Sequence, residues 1–134
     1  MKANELRIGN LVTLCLINDE YIEIDLPIAT IHSDNTIRLL DGKKEIGCFS
    51  LKKIKPIKLT EEWLLKFGFE KRGDKFSLKN KKAGVFRFVK TSGNIIVGEL
   101  EHGRNSISEF ITYVHQLQNL YFALTGEELT LKNK

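Results

Sequence analysis

The sequence predicts an α+β protein: a small five-stranded β-barrel followed by a module of order α-β-β-β-(β)-α. Three observations carry that expectation. Residues 6–58 hold five short apolar-alternating runs parted by turn residues, a spacing that favours a small barrel over an open sheet. Leu59-Thr-Glu-Glu-Trp63 has the composition of a helix start. Val114 to Thr125 repeats apolar residues at helical spacing and meets Gly126, the residue that commonly closes helices.

Leu6-Arg-Ile-Gly-Asn-Leu-Val12 opens the first module, with Gly9-Asn10 as a tight turn or bulge. The expected strands are Leu11 to Ile17, Tyr21 to Ile31, Thr36 to Leu40, Glu45 to Leu51 and Ile54 to Lys58. Asn18-Asp19-Glu20, Ser33-Asp34-Asn35 and Asp41-Gly42 read as the turns between the first four. Pro27 interrupts the second run, because proline cannot donate to a ladder and implies an edge, a bulge or a break. The opening heptapeptide resembles the first strand of SH3-like barrels, which makes the expected unit, residues 1–58, an SH3-like five-stranded barrel.

The second module spans residues 59–134. Thr60 is a good N-cap, Glu61 and Glu62 place negative charge in the first turn, and Leu59 and Leu64 form a hydrophobic staple. Gly68 is placed to end this helix after two turns. Trp63, Leu64 and Phe67 make its apolar stripe, so Trp63 is expected to be mostly buried; a helix this short must pack on something. Strands follow at Lys75 to Lys79, Gly84 to Lys90 and Asn94 to Glu101, with turns at Asn80 to Gly84 and Thr91 to Asn94. Phe76, Leu78, Phe86 and Phe88 alternate with polar residues, which gives one buried and one wet face. Residues 102–106 read as a loop. Ile107 to Tyr113 is a fourth strand or the front of the last helix, and its β-prone residues favour the strand.

The bulk properties exclude several classes. Apolar residues make up 42% of 134 residues, enough for a core. No stretch approaches the roughly 18 apolar residues of a membrane span, and the N-terminus lacks the apolar centre of a signal peptide. A cytoplasmic protein is expected. Cys15 and Cys48 both fall in apolar runs and read as reduced, mostly buried thiols. No cofactor or metal is expected. His32, His102 and His115 stand far apart, no nucleotide-binding glycine loop is present, and Glu23 and Asp25 read as a solvated strand face.

Charge is unevenly distributed. Residues 1–42 carry three Lys/Arg and seven Asp/Glu, residues 43–90 fifteen and five, and residues 91–134 three and five. The middle is therefore net +10 within a chain of net +4. Lys79, Lys81, Lys82 and Arg87 flank one hairpin, Lys71, Arg72 and Lys75 precede it, and Lys52, Lys53, Lys55 and Lys58 end the barrel. On one face such residues would follow a phosphate backbone. They are otherwise a solvated surface without aromatic stacking platforms. On the last helix Val114, Leu117, Leu120, Tyr121 and Leu124 gather on one side, while His115, Asn119 and Phe122 gather on the other. Phe122 is then covered by the barrel or tail, part of an interface with a partner or second copy, or singly exposed.

Three segments together resemble a set of uncharacterised small proteins of Bacteroidales genomes and their prophages. They are Asn4-Glu-Leu-Arg-Ile-Gly-Asn-Leu-Val12, Leu59-Thr-Glu-Glu-Trp-Leu-Leu-Lys-Phe-Gly-Phe69 and Tyr113 to Leu129. The resemblance implies a bacterial or phage setting and a regulatory or accessory binding role, and it supplies no catalytic residue. The expectation is a non-enzymatic binding protein of a mobile element that contacts protein or nucleic acid. Its alternative is a small enzyme acting on a phosphate-bearing substrate through the basic hairpin and His115 or His102.

Overall fold

The structure is a computed structural model that describes residues 5–17, 21–80, 84–90, 96–102 and 105–131. The expected turns at Asn18-Asp19-Glu20 and Thr91 to Asn94, and Lys81 and Lys82 between the second-module strands, lie outside the described residues. Among the described residues ten strands form two five-stranded antiparallel sheets, with a six-residue helix between the sheets in the chain and a twelve-residue helix after the second. The chain is therefore mostly β with little helix, not the α+β class expected. It divides into two compact units. The first comprises residues 1–57 with Tyr113–His115, and the second residues 58–112 with 116–134.

The first sheet contains β1 (Leu11–Ile17), β2 (Tyr21–Ile31), β3 (Thr36–Asp41), β4 (Lys44–Ser50) and β5 (Ile54–Pro56), in the order β4-β3-β2-β1-β5. The expected SH3-like barrel is not formed. β5 pairs with β1 and β4 with β3, and among the described residues no ladder joins β4 to β5. The sheet is open, and its two end strands are edges. Its core is Leu6, Val12, Leu14, Leu26, Ile28, Ile37, Leu39 and Ile54, the inward set of alternating strands. Pro27 does not break β2. β3 pairs with β2 only from Ile28 onward, so Pro27 has a neighbour on one side alone, where its missing N–H is tolerated.

Two bulges shape this sheet. Ile28 pairs with Leu39 and Thr30 with Arg38, leaving Ala29 as an extra residue in β2. In β4, Ile37 pairs with Phe49 and Leu39 with Ile46, so Gly47 and Cys48 both stand opposite Arg38. Gly47 has φ +91, the conformation in which a glycine opens a bulge. Ile46 and Phe49, three positions apart, both pack against the core. A strict period of two forbids that, and the inserted residue permits it. Both cysteines are free thiols, but Cys48 is exposed and Cys15 half-buried, so the expectation of mostly buried thiols fails at Cys48.

The second sheet contains β6 (Glu70–Arg72), β7 (Lys75–Asn80), β8 (Gly84–Lys90), β9 (Ile96–His102) and β10 (Asn105–Phe110), in chain order. Residues 102–106 are thus not a loop throughout, since His102 ends β9 and Asn105 begins β10. The expected strand at 107–113 begins earlier and ends at Phe110. β6 pairs with β7 across Gly73-Asp74, where Gly73 takes φ +62, as the first central residue of a tight hairpin requires.

Helix α1 (Glu61–Lys66) forms as its signals dictate. The Trp63 N–H reaches the Thr60 hydroxyl at 3.5 Å. The Phe69 N–H donates to the Leu64 carbonyl and the Gly68 N–H to the Leu65 carbonyl, both at 3.0 Å, with Gly68 at φ +93, which is a Schellman ending. Leu59, Leu64 and Phe67 are buried, but Trp63 is only half-buried, with its ring 6.1 Å from that of Phe67 and Lys66 Nζ 4.7 Å from its centroid. Phe76, Phe86 and Phe88 are fully buried on the inner face of the sheet. Phe88 meets Phe69 edge-on at 5.4 Å, and Phe86 meets Tyr121 of helix α2 (Val114–Thr125) at 5.1 Å. α2 closes with the Gly126 N–H on the Phe122 carbonyl at 2.8 Å.

α2 is rotated from the expected orientation. His115, Gln118 and Thr125 are buried together with Val114, Leu117 and Tyr121, whereas Leu124 is exposed. The buried Thr125 hydroxyl donates to the Tyr121 carbonyl at 2.7 Å, so its burial leaves no bare donor.

Candidate functional site

The side-chain period of two sorts the second sheet into two faces. Phe76, Phe86 and Phe88 occupy one. Lys75, Ser77, Lys79, Val85, Arg87 and Val89 occupy the other, since Lys75 pairs with Val89, Ser77 with Arg87 and Lys79 with Val85. β6 adds Arg72 beside Lys75 and Glu70 beside Ser77. These residues line one open depression of about 480 Å³. Arg72, Lys75, Lys79 and Arg87 are exposed around it, while Ser77, Val85 and Val89 are half-buried at its floor. Lys75 and Lys79 are four residues apart on one strand, so the cations extend along about 13 Å of sheet.

An acidic residue interrupts this field: Glu70 lies in the lining, in register beside Ser77. The face is basic at both ends of its long direction and mixed across its middle. An anion that follows the strand direction meets mostly cations, whereas one that crosses the strands meets both signs.

Of the four expected phosphate contacts, Lys79 and Arg87 come together on this face, and Lys81 and Lys82 lie outside the described residues. Other lysines of the basic middle are committed locally. Lys71 is ion-paired with Glu61, Lys66 reaches Glu62 at 3.3 Å, and Lys55 lies 3.6 Å from Glu23. The net +10 of residues 43–90 is divided between the two units.

The expected cluster His115, Asn119 and Phe122 is not an exposed triad. His115 is 2% exposed, Asn119 half-buried and Phe122 39% exposed. Phe122 and Leu124, the large exposed apolar residues of α2, are two positions and so about 200° apart around the helix. They lie on opposite sides of the helix. The His115 ring stacks on that of Tyr113 at 5.9 Å and 12°. Neither of its ring nitrogens meets a hydrogen-bond partner among the described residues. Burial pushes His115 below the ordinary histidine value, opposed in part by the charge of Glu5.

Among the described residues no group of three or more His, Cys, Asp or Glu is arranged to hold a metal ion, and no helix is long and apolar enough to cross a membrane. Ser77 escapes motif reading because it belongs to no charged run, and Glu70 because it is the acid of a run read for its cations. The turn pair Gly73-Asp74 is the signal that reveals β6 and with it the full width of the face. Comparison of the chain with protein-family models, with curated proteins and with solved structures finds no match to any of them.

Proposed function

We propose that this chain is a non-enzymatic binding module that holds an anionic polymer, a nucleic-acid backbone, along the outer face of its second sheet. The observation that carries the proposal is the convergence of Arg72, Lys75, Lys79 and Arg87 from three adjacent strands on one open depression. Positive charge drawn out along the strand direction suits a partner whose own charge is strung along a line. The half-buried valine floor, and a described lining whose aromatic residues, Phe76 and Phe88, are both buried, favour backbone contact over base stacking. An accessory role in a bacterial mobile element fits the resemblance of the three sequence segments. The phosphate-processing alternative has less support, since His115 is buried and no histidine lies among the described residues that line the depression.

The test is a fluorescence-anisotropy titration of single-stranded and duplex oligonucleotides at two salt concentrations. Three or four phosphate contacts give a log–log salt slope of roughly 2 to 3.5. Replacing Arg72, Lys75, Lys79 and Arg87 with Gln flattens the slope and weakens binding to all sequences alike. Affinity no tighter than about 10⁻⁴ M at physiological salt, unchanged in the variant, overturns the proposal.

A further inference from the structure

Cys48 Sγ stands 3.8 Å from His32 Nε2. Regular strand pairing does not account for that approach. The bulge at Gly47-Cys48 lets both Ile46 and Phe49 face the core and leaves Cys48 exposed on the outer face. Thr30 pairs with Arg38, so His32, two positions beyond Thr30, shares that face with Arg38 and Cys48. Bulges recur beside reactive sites because they re-aim one side chain.

The backbone that carries the imidazole is held in a turn. The His32 backbone N–H donates to the Thr36 carbonyl at 2.9 Å, and the Asn35 backbone N–H donates to the His32 carbonyl at 3.0 Å, with Asn35 at φ +68. Asp34 Oδ1 accepts from the Thr36 N–H at 3.0 Å and from the Thr36 hydroxyl at 2.6 Å. Those bonds first, and the charge of His32 in addition, hold the Asp34 carboxyl below the usual range. Arg38 shares the outer face with Cys48. Cys48 and His32 supply the chemical types of nucleophile and base.

We propose that Cys48 is a nucleophilic thiol, with His32 as its proton acceptor and low-molecular-weight disulfides as its substrate class. Cys48 Sγ attacks one sulfur of RS–SR while its proton passes to His32 Nε2, which accepts in the tautomer protonated at Nδ1. The RS–SR bond breaks, and the departing RS⁻ takes the proton from the imidazolium. The products are the mixed disulfide at Cys48 and one RSH. The Cys48 sulfur is oxidised, the departing sulfur is reduced by the same amount, and no further oxidant is consumed.

Glutathione disulfide is the probe. The intact chain is incubated with it across a range of pH, and adduct formation at Cys48 and Cys15 is followed by peptide mass spectrometry. At neutral pH, Cys48 is expected to react at least about tenfold faster than Cys15 and than Cys48 in His32→Gln. The Cys15 rate stays equal in both chains and so reports an intact fold, and the difference at Cys48 closes at high pH, where thiols ionise unaided. The pH profile of the unaltered chain is a second measurement that needs no variant. A rate already levelling below pH 7 supports the pair. A rate climbing about tenfold per pH unit through neutrality, as an unassisted thiol's does, overturns it. Equal Cys48 rates in unaltered and His32→Gln chains, or Cys15 as fast as Cys48, also overturn it.

Discussion

Replacing Gly47 with alanine tests the bulge in β4 directly. A Cβ built there falls 2.1 Å from Phe49 Cε2, 2.3 Å from Cδ2 and 2.8 Å from Cζ, so the ring must withdraw by more than about 1 Å to regain ordinary carbon contact. Two terms add. Holding a non-glycine residue at φ +91 costs about 1–2 kcal/mol. Moving the half-buried Phe49 ring off its rotamer or away from the core costs about another 1–2 kcal/mol. Gly42 and Gly73, at φ +66 and +62 with nothing within 4 Å of an added Cβ, isolate the first term. Gly42→Ala and Gly73→Ala should therefore lose about 1–2 kcal/mol and Gly47→Ala about 2–4. The assay is urea denaturation followed by far-UV circular dichroism, compared at constant m-value. In the cycle with Phe49→Ala, the excess at Gly47 should disappear as a coupling of about 1–2 kcal/mol. A Gly47→Ala loss within about 0.5 kcal/mol of the two controls would refute the placement of Phe49 over the bulge.

Trp63→Ala should destabilise by about 1–2 kcal/mol, less than the 3–5 of a fully buried large aromatic, because its ring is half-exposed; urea denaturation measures this. His115 is held below the ordinary value of 6.5 by burial. The unfolded chain therefore binds a proton first as pH falls, and stability is full above about 6.5 and declines below it by at most about 1.4 kcal/mol per pH unit. His115→Phe should remove that part of the slope between pH 7 and 5 in paired denaturation curves. Tyr121→Phe deletes the acceptor of the 3.0 Å hydrogen bond from Asn80 Nδ2 and should lower stability by about 1 kcal/mol while keeping the ring packed on Phe86, again read by denaturation.

The local signals were legible. Thr60, Gly68 and Gly126 act within one turn of their own positions, and helix α1 starts and stops where they stand. The alternating phenylalanines of β7 and β8 were equally plain. Closure of the first sheet was not, since strand count and spacing do not say whether the two end strands meet. β6 was hidden because Glu70-Lys-Arg72 is polar throughout and gives no alternation to read. The orientation of α2 departs from its hydropathy pattern, which ranks His, Gln and Thr as outward residues, whereas a threonine that satisfies itself on the preceding turn and a stacked imidazole are both buried. All four cations of the candidate basic face could be named from the basic middle, but not that these four share one face. The Cys48–His32 pair could not, because it depends on a bulge whose register is set by non-local pairing.

The first unit borrows Tyr113–His115 from beyond the entire second sheet, and the Val114 N–H donates to the Ile57 carbonyl at 2.8 Å. During vectorial synthesis this unit cannot complete itself when its last strand emerges. It must wait while residues 58–112 are added, an interval on the order of several seconds at ordinary elongation rates. For the same reason no single cut divides the chain into two complete halves. A fragment ending at residue 57 lacks buried Val114 and His115, and supplying the missing segment in trans is the natural way to restore it.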